Sequence, residues 1–518
     1  MADVWRPQFH IMPKKGWLND PNGPIFYKGR YHMFFQHIPN STNWDWCMEW
    51  GHVVSSDLAH WHHLPNAIQP SEGGPDANGC WSGCCGIDVD GCPVLLHTGV
   101  VLRTNIDGRL PPPEFDLGIQ MIETQCCAKV SDPDDKNMEH WIKQEEPFLR
   151  YPPDRLALTG WRDPFLVHLP ATSANEPPQR KLMILGSGFS GKGGAVLKYT
   201  THKSLTSDWK YDGVLIQHQN SGSGEVWECP VLVPLPKHAN NSMSDGARPD
   251  GITHVLMVGV HFPNEQPRRY RPVIYWLGRL TEEGDFTPVD LENPRVLDSG
   301  SIVYAPNAMI APDGRTLMWV WMHERGGGPT RMDYNGCLSI PRVLTVLDGE
   351  LHQWPAAELE ALRTGDGFKI SNMQVSEGSL VSFLSDIGPR FDMNLTISWE
   401  DHTQRFGLII TATDTPESLV IEFDIKSKQL RSCSLDPEDF NGEEKIQIES
   451  KGTDEIEGGQ LGMRVIVDGP LVEVFTSHGA ALSGRVVRPM NGDMKMFSCG
   501  GKVSILEGCV WKMGSAWS

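Results

Sequence analysis

Long apolar runs are missing from this 518-residue chain. No stretch approaches the roughly 18 consecutive apolar residues of a membrane span. The longest candidates, such as Val255 to Val260, stop within one strand length, which predicts a soluble protein with no membrane partner. Positive charge is also short. The 45 Lys and Arg face 65 Asp and Glu, a net charge of −20 that opposes contact with a phosphate backbone or an anionic leaflet, so nucleic acid is not an expected partner. The start, Met1 to Pro7, lacks a basic segment followed by an apolar one, and the chain as it stands reads as cytoplasmic; a secreted chain trimmed of its leader would look the same. Helix signals are few. The best is Pro355 to Arg363, with Pro in the first turn and Gly365 just beyond the end.

The twelve cysteines include no C-x-x-C pair. The adjacent pairs Cys84-Cys85 and Cys126-Cys127 read as reduced core thiols rather than a disulfide framework, which favours a reducing compartment. The group Cys80, Cys84, Cys85 and Cys92, with His97 nearby, fits no zinc spacing and reads as buried thiols, so no metal is expected. Three Asn-x-Ser/Thr acceptors, at Asn40, Asn240 and Asn394, would matter only in a secreted protein.

What the chain has in quantity is Gly (52), Pro (39), Trp (18) and Phe (18), which favours many short strands and turns around ample apolar area. Its length suggests two domains. An apolar strand, a Ser/Thr/Asp-rich turn and a Trp opening the next strand recur at Val53 to Trp61, Lys129 to Trp141 and Lys198 to Trp209. Spacings of roughly 70 to 80 residues suit a four-stranded antiparallel blade with one long connection. Residues 1–345 therefore read as a β-propeller of five blades, residues 346–369 as a linker with the short helix, and residues 370–518 as a β-sandwich, its strands including Leu408 to Thr411, Leu419 to Phe423 and Met463 to Asp468. The fold class is all-β.

Three acids have unusual surroundings. Asp20 lies in Trp17-Leu18-Asn19-Asp20-Pro21-Asn22-Gly23, where Pro21 favours extended geometry and Asn22-Gly23 turns the chain; local Asx-turn bonding would explain it equally well. Asp163 lies in Trp161-Arg162-Asp163-Pro164-Phe165. Arg162 and Asp163 point to opposite faces of a regular strand, so both serve one pocket only if the chain turns there. Glu228 lies in Glu225 to Val233, where alternation puts Val226, Glu228 and Pro230 on one face and Trp227 and Cys229 on the other. Desolvation in so apolar a strand would raise its pKa, as a proton donor near neutral pH requires; an Arg partner from another blade is the structural alternative.

Together, Trp-Leu-Asn-Asp-Pro-Asn-Gly, Trp-Arg-Asp-Pro and Trp-Glu-Cys-Pro, in this order, resemble glycoside hydrolase family 32, the invertase and fructan-hydrolase family. Further matches are Tyr31 to Gln36, Trp50-Gly51-His52, Trp81-Ser82-Gly83, Tyr304-Ala305-Pro306, Ser339 to Arg342 and Val472 to Phe475. The resemblance implies a five-bladed propeller followed by a β-sandwich. It also implies a retaining β-fructofuranosidase acting on sucrose and short fructo-oligosaccharides without metal or organic cofactor. Asp20 matches the nucleophile, Glu228 the general acid/base and Asp163 the transition-state stabiliser. Asn19, Gln36, Trp44, Ser82 and Arg162 would surround the fructose ring, with Trp17 and Trp81 in an aromatic wall. Glu49 departs from the family pattern before Trp-Gly-His and is read as a residue of the leaving-group or acceptor side. The rivals are a dedicated fructosyltransferase and a non-catalytic carbohydrate-binding relative. The partners are small sugars, with a homo-oligomer left open.

Overall fold

A computed structural model describes residues 5–105, 117, 119–154, 156–169, 180–218, 223–236, 251–262, 272–324, 332–412, 418–435, 458–486 and 492–517; Asn240 lies outside them. The chain divides into two units, one of residues 11–297 and 303–351, the other of residues 1–10, 298–302 and 352–518.

Among the described residues the first unit holds five sheets, antiparallel but for one short parallel pairing. Their inner strands are Gly16–Tyr27 in blade I, Gly79–Ile87 in blade II, Leu158–Val167 in blade III, Val226–Pro234 in blade IV and Val303–Ile310 in blade V. Each packs against the next, and the fifth packs back on the first, so the sheets close into a five-bladed propeller. Tyr334–Asn335 returns from blade V to pair in parallel with Gly16 and Trp17, fastening the ring. An apolar cluster containing Leu96, Trp161, Ile184, Trp227, Val258 and Met318 runs through blades II to V.

Local sequence explains the blades. The hairpin from Gly16–Tyr27 into Arg30–Ile38 turns on Lys28 and Gly29, both with positive φ (45° and 80°), the pairing that suits the right-handed twist of its strands. The three repeated tryptophans mark the same spot in blades I to III. Trp61 and Trp141 begin the outermost strands Trp61–Ile68 and Trp141–Lys143, and Trp209 precedes Lys210–Gln217. Each indole N–H closes the preceding turn on a backbone carbonyl, at Leu58 (3.2 Å), Met138 (2.8 Å) and Leu205 (2.8 Å). In blades IV and V the outermost strands begin at Phe286 and Glu350, so the repeat fades there although the blades do not.

The second unit stacks a six-stranded sheet, which includes Arg363–Val375, Arg390–Trp399, Gly459–Asp468 and Val503–Met513, on a five-stranded one that includes Arg405–Thr411, Ser418–Asp424 and Met494–Cys499. Phe391, Met393, Phe406, Leu408, Ile421 and Met463 fill the space between, as expected of a sandwich.

The boundaries differ from those read in the sequence. The helix is a single 3-10 stretch, Ala357–Leu362, and the strand Arg363–Val375 occupies the end of the segment assigned to a linker. The first ten residues belong with the second unit. His10 explains this: its ring nitrogens meet Asp468 Oδ2 at 2.8 Å and Glu473 Oε1 at 3.0 Å, and the backbone N–H groups of Gln8, Phe9 and His10 also donate to Asp468. Residues so distant in sequence give no local signal of pairing.

Candidate active site

Every inner strand of the propeller breaks its register at a polar motif. The breaks fall between Leu18 and Pro21, Cys80 and Gly83, Ile184 and Gly186 (opposite Asp163), Glu228 and Val231, and Tyr304 and Pro306. In blades III, IV and V the residue at the break has positive φ and precedes a proline: Asp163 (63°), Cys229 (47°) and Ala305 (47°). Proline carries no N–H, so a bulge there forfeits no ladder bond from that position, while the left-handed residue before it costs about 1 to 2 kcal/mol. This is the turn that lets Arg162 and Asp163 face the same cavity.

The alternation expected for Glu228 and Cys229 fails for the same reason. Trp227 is fully buried, Glu228 lines the cavity, and the left-handed Cys229 is swung in beside the acids instead of following Trp227 to the opposite face. Its N–H donates to Asp163 Oδ2 at 2.8 Å, and its thiol lies 3.3 Å from Asp20 Oδ2. Burial and the charges of Asp163, Asp20 and Glu228 push that thiol well above the usual cysteine range, so it stays protonated.

The three acids meet in one cavity of about 870 Å³. Asp20 accepts hydrogen bonds from Ser82 Oγ at Oδ2 (2.6 Å) and from Asn19 Nδ2 at Oδ1 (2.9 Å). Its pKa is nonetheless raised: burial dominates, the Ser82 and Asn19 donors oppose it, and the charge of Glu228 adds to it. Asp163 is pushed up to about 8, by burial first and then by Glu228, against the pull of Arg162 and the Cys229 N–H. Glu228 accepts Arg162 Nη1 at Oε1 (3.0 Å) and Tyr304 O–H at Oε2 (2.7 Å). For Arg162, burial works against the charge, but Glu123, Glu228 and Asp163 overcome it and keep the guanidinium protonated.

Trp46 and Trp81 stack at 5.6 Å with 15° between their planes, and Trp44, 41% exposed, lies edge-on to both. Trp17 meets Trp321 edge-on at 5.8 Å and donates its N–H to Asn19 Oδ1. Gln36 is held by the Cys80 carbonyl (3.0 Å), and the Arg162 guanidinium lies 5.7 Å over Trp81. Ten of the eleven residues proposed from sequence thus line one cavity.

Glu49 is the exception. It opens the strand Glu49–Ser55 between Met48, which lines the cavity, and the buried Trp50, so alternation turns its side chain away; its carboxylate accepts from Asn66 Nδ2 at 2.6 Å. The sequence reading in turn missed Trp46, His261, Trp321 and Glu123. His261 approaches Glu228 with Nδ1 3.7 Å from Oε2. Glu123 carried a legible signal, an acid in the otherwise apolar start of Met121–Val130.

Of the thiols near His97, only Cys80 joins it, around Asp76. Asp76 Oδ2 accepts from His97 Nε2 (3.1 Å), from Cys80 Sγ (3.3 Å) and from the Lys143 ammonium. These are proton donors surrounding one carboxylate, held below the usual range because His97 and Lys143 outweigh its burial. With an ammonium already in place, the donor set suits an ion-paired core and not a metal.

Three carboxylates on the inner strands of a five-bladed propeller, facing a wall of indoles, define a glycoside hydrolase. The chain belongs to the glycosyl hydrolases family 32: the family's N-terminal domain matches residues 10–355 and its C-terminal domain residues 358–512. It is similar to the sucrose-6-phosphate hydrolase of Escherichia coli, 29% identical over 530 residues that cover 99% of this chain and 96% of the relative. In fold it resembles fructan 1-exohydrolase IIa from Cichorium intybus (TM-score 0.77, 21% identity, 100% of each chain). It likewise resembles a Bombyx mori β-fructofuranosidase solved as a mutant in complex with sucrose (TM-score 0.70, 23% identity, 99% of this chain and 95% of the other).

Proposed function

We propose that this enzyme is a retaining β-fructofuranosidase that hydrolyses sucrose and short fructo-oligosaccharides through a fructosyl-enzyme. The observation that carries the reading is the meeting of Asp20, Asp163 and Glu228 in one cavity with unlike partners. Asp20, oriented by Ser82 and Asn19, attacks the anomeric carbon. Glu228, oriented by Arg162 and Tyr304, protonates the departing oxygen and later deprotonates water. Asp163, buried and mostly protonated below its pKa of about 8, hydrogen-bonds fructose hydroxyls as positive charge develops on the ring. Kinship with a sucrose-6-phosphate hydrolase and a fold shared with a sucrose-bound β-fructofuranosidase support the substrate class.

The wall of Trp44, Trp46 and Trp81 gives a second sugar an apolar face to stack on. Transfer to sucrose therefore accompanies hydrolysis at molar sugar, and a trisaccharide product measures it. Asp20→Asn and Glu228→Gln each reduce turnover by at least about 10²-fold with the fold intact. Early-time NMR of wild-type hydrolysis shows β-fructofuranose first; release of the α-anomer first would exclude double displacement. The enzyme works in a reducing compartment, a reading supported by eleven free thiols among the described residues. Thiol titration of the denatured, unreduced protein then approaches twelve, the number of cysteines in the chain.

A further inference from the structure

Glu123 belongs to the third strand of blade II, Met121–Val130, yet its carboxylate reaches into blade III. It is 5% exposed. Its Oε2 accepts the Trp161 N–H at 2.7 Å, and its Oε1 accepts Arg162 Nε at 2.5 Å. Two more blade II side chains grip the same stretch. Gln125 Nε2 donates to the Trp161 carbonyl at 2.8 Å, and Thr98 Oγ1 accepts the Asp163 N–H at 2.8 Å while donating to Gln125 Oε1 at 3.0 Å. The left-handed bulge that brings Arg162 and Asp163 to the cavity is therefore held from behind by blade II.

A guanidinium is a planar fork, so fixing Nε fixes the direction of the opposite arm. That arm, Nη1, meets Glu228 Oε1 at 3.0 Å. One line of bonds thus runs from Glu123 in blade II through Arg162 in blade III and Glu228 in blade IV to Tyr304 in blade V.

We propose that Glu123 is a positioning residue of the reaction: it aims Arg162 at Glu228 and shares the guanidinium charge that Glu228 would otherwise receive alone. The proposal rests on Glu228 being the general acid/base. Without Glu123, Arg162 Nε and the Trp161 N–H lose their buried acceptor, which misaligns the arm that holds Glu228. The charge balance changes as well. Around Glu228 stand Arg162, Asp163, Asp20, Tyr304, His261 and the Cys229 thiol, with the Glu123 carboxylate behind Arg162, and deleting that anion makes the remaining carboxyl groups easier to ionise. A proton donor that ionises more easily loses its proton at lower pH, so the alkaline limb of kcat/KM moves acidward.

The test compares Glu123→Gln and Glu123→Ala with wild type on sucrose across about pH 4 to 9. Glu123→Gln is expected to lower kcat at least about tenfold with KM changed less than about threefold, and to shift the alkaline limb down by about half a unit or more. Glu123→Ala is expected to lose more. A folded Glu123→Gln enzyme with wild-type kcat and an unmoved limb overturns the proposal, and because this variant is nearly isosteric it carries the test even where Glu123→Ala does not fold. A purely structural Glu123 would change melting temperature without moving the limb. Glu228→Gln run alongside separates the two failures: if it stays active, the acid/base reading falls; if it is inactive while Glu123→Gln behaves as wild type, only the positioning role falls.

Discussion

The backbone N–H of Cys229 donates to Asp163 Oδ2 at 2.8 Å, joining two left-handed residues of neighbouring blades, each followed by proline. Each conformation is unfavourable alone. Bonded together, the two bulges fix the Asp163 carboxyl group beside the thiol that approaches Asp20.

This arrangement has a stability consequence that can be measured. Asp163 has a folded pKa of about 8 against 3.8 in the unfolded chain, so between those values the native state holds a proton that the unfolded chain has lost. Stability from this group therefore falls as pH rises through the window and levels off above about 8. Asp163→Asn keeps an acceptor for the Cys229 N–H and has no charge to bury. Its melting temperature relative to wild type should rise from pH 5 to pH 8 while turnover falls by about 10²-fold or more; a relative melting temperature that falls with pH would contradict this.

Gly83 follows Ser82 on the inner strand of blade II, with its N–H bonded to Asn22 Oδ1 (3.1 Å) and its carbonyl to Asn307 Nδ2 (3.1 Å). A Cβ at Gly83 would lie 1.9 Å from the Leu96 carbonyl oxygen, a backbone atom that cannot swing aside. Gly83→Ala should destabilise by about 2 kcal/mol or more and displace Ser82 from Asp20. Thermal unfolding and sucrose turnover should both fall, and a variant that melts and turns over like wild type would show that the strand accommodates the methyl group.

His10 ties the amino-terminal segment to the sandwich. Burial alone would lower its pKa, but the carboxylates of Asp468 and Glu473, one at each ring nitrogen, raise it to about 9. The folded value exceeds the unfolded 6.5, so its contribution is complete below about pH 6.5, declines above that and is gone beyond about 9. Hydrogen exchange at residues 8 to 10 should accelerate between pH 7 and 10 beyond the intrinsic base-catalysed rate. His10→Gln should show faster exchange already at pH 7; equal protection in both proteins would remove the imidazolium from the account.

The amino-acid sequence by itself determined the strand-rich class and the tryptophan-marked blades I to III, because these rest on neighbours within a few residues; Asp20, Asp163 and Glu228 stood out only from three motifs taken together, since each acid's local surroundings also fitted a structural role. Proline after Asp163, an apolar strand around Glu228 and an Asn-Gly pair after Asp20 are local facts, although that pair does not turn the chain as expected: it lies inside the strand Gly16–Tyr27, where Gly23, at φ 48°, shifts the register as a bulge. Tertiary structure alone decided which side chains answer those acids. Glu123 and Gln125 reach Trp161 and Arg162 from another blade, and His10 finds Asp468 more than 400 residues away. It also decided the faces of Glu49 and Cys229. Glu49 obeys strand alternation and leaves the cavity, whereas Cys229 breaks it, because a left-handed bulge bonded to Asp163 overrides the two-residue period from which a sequence is read.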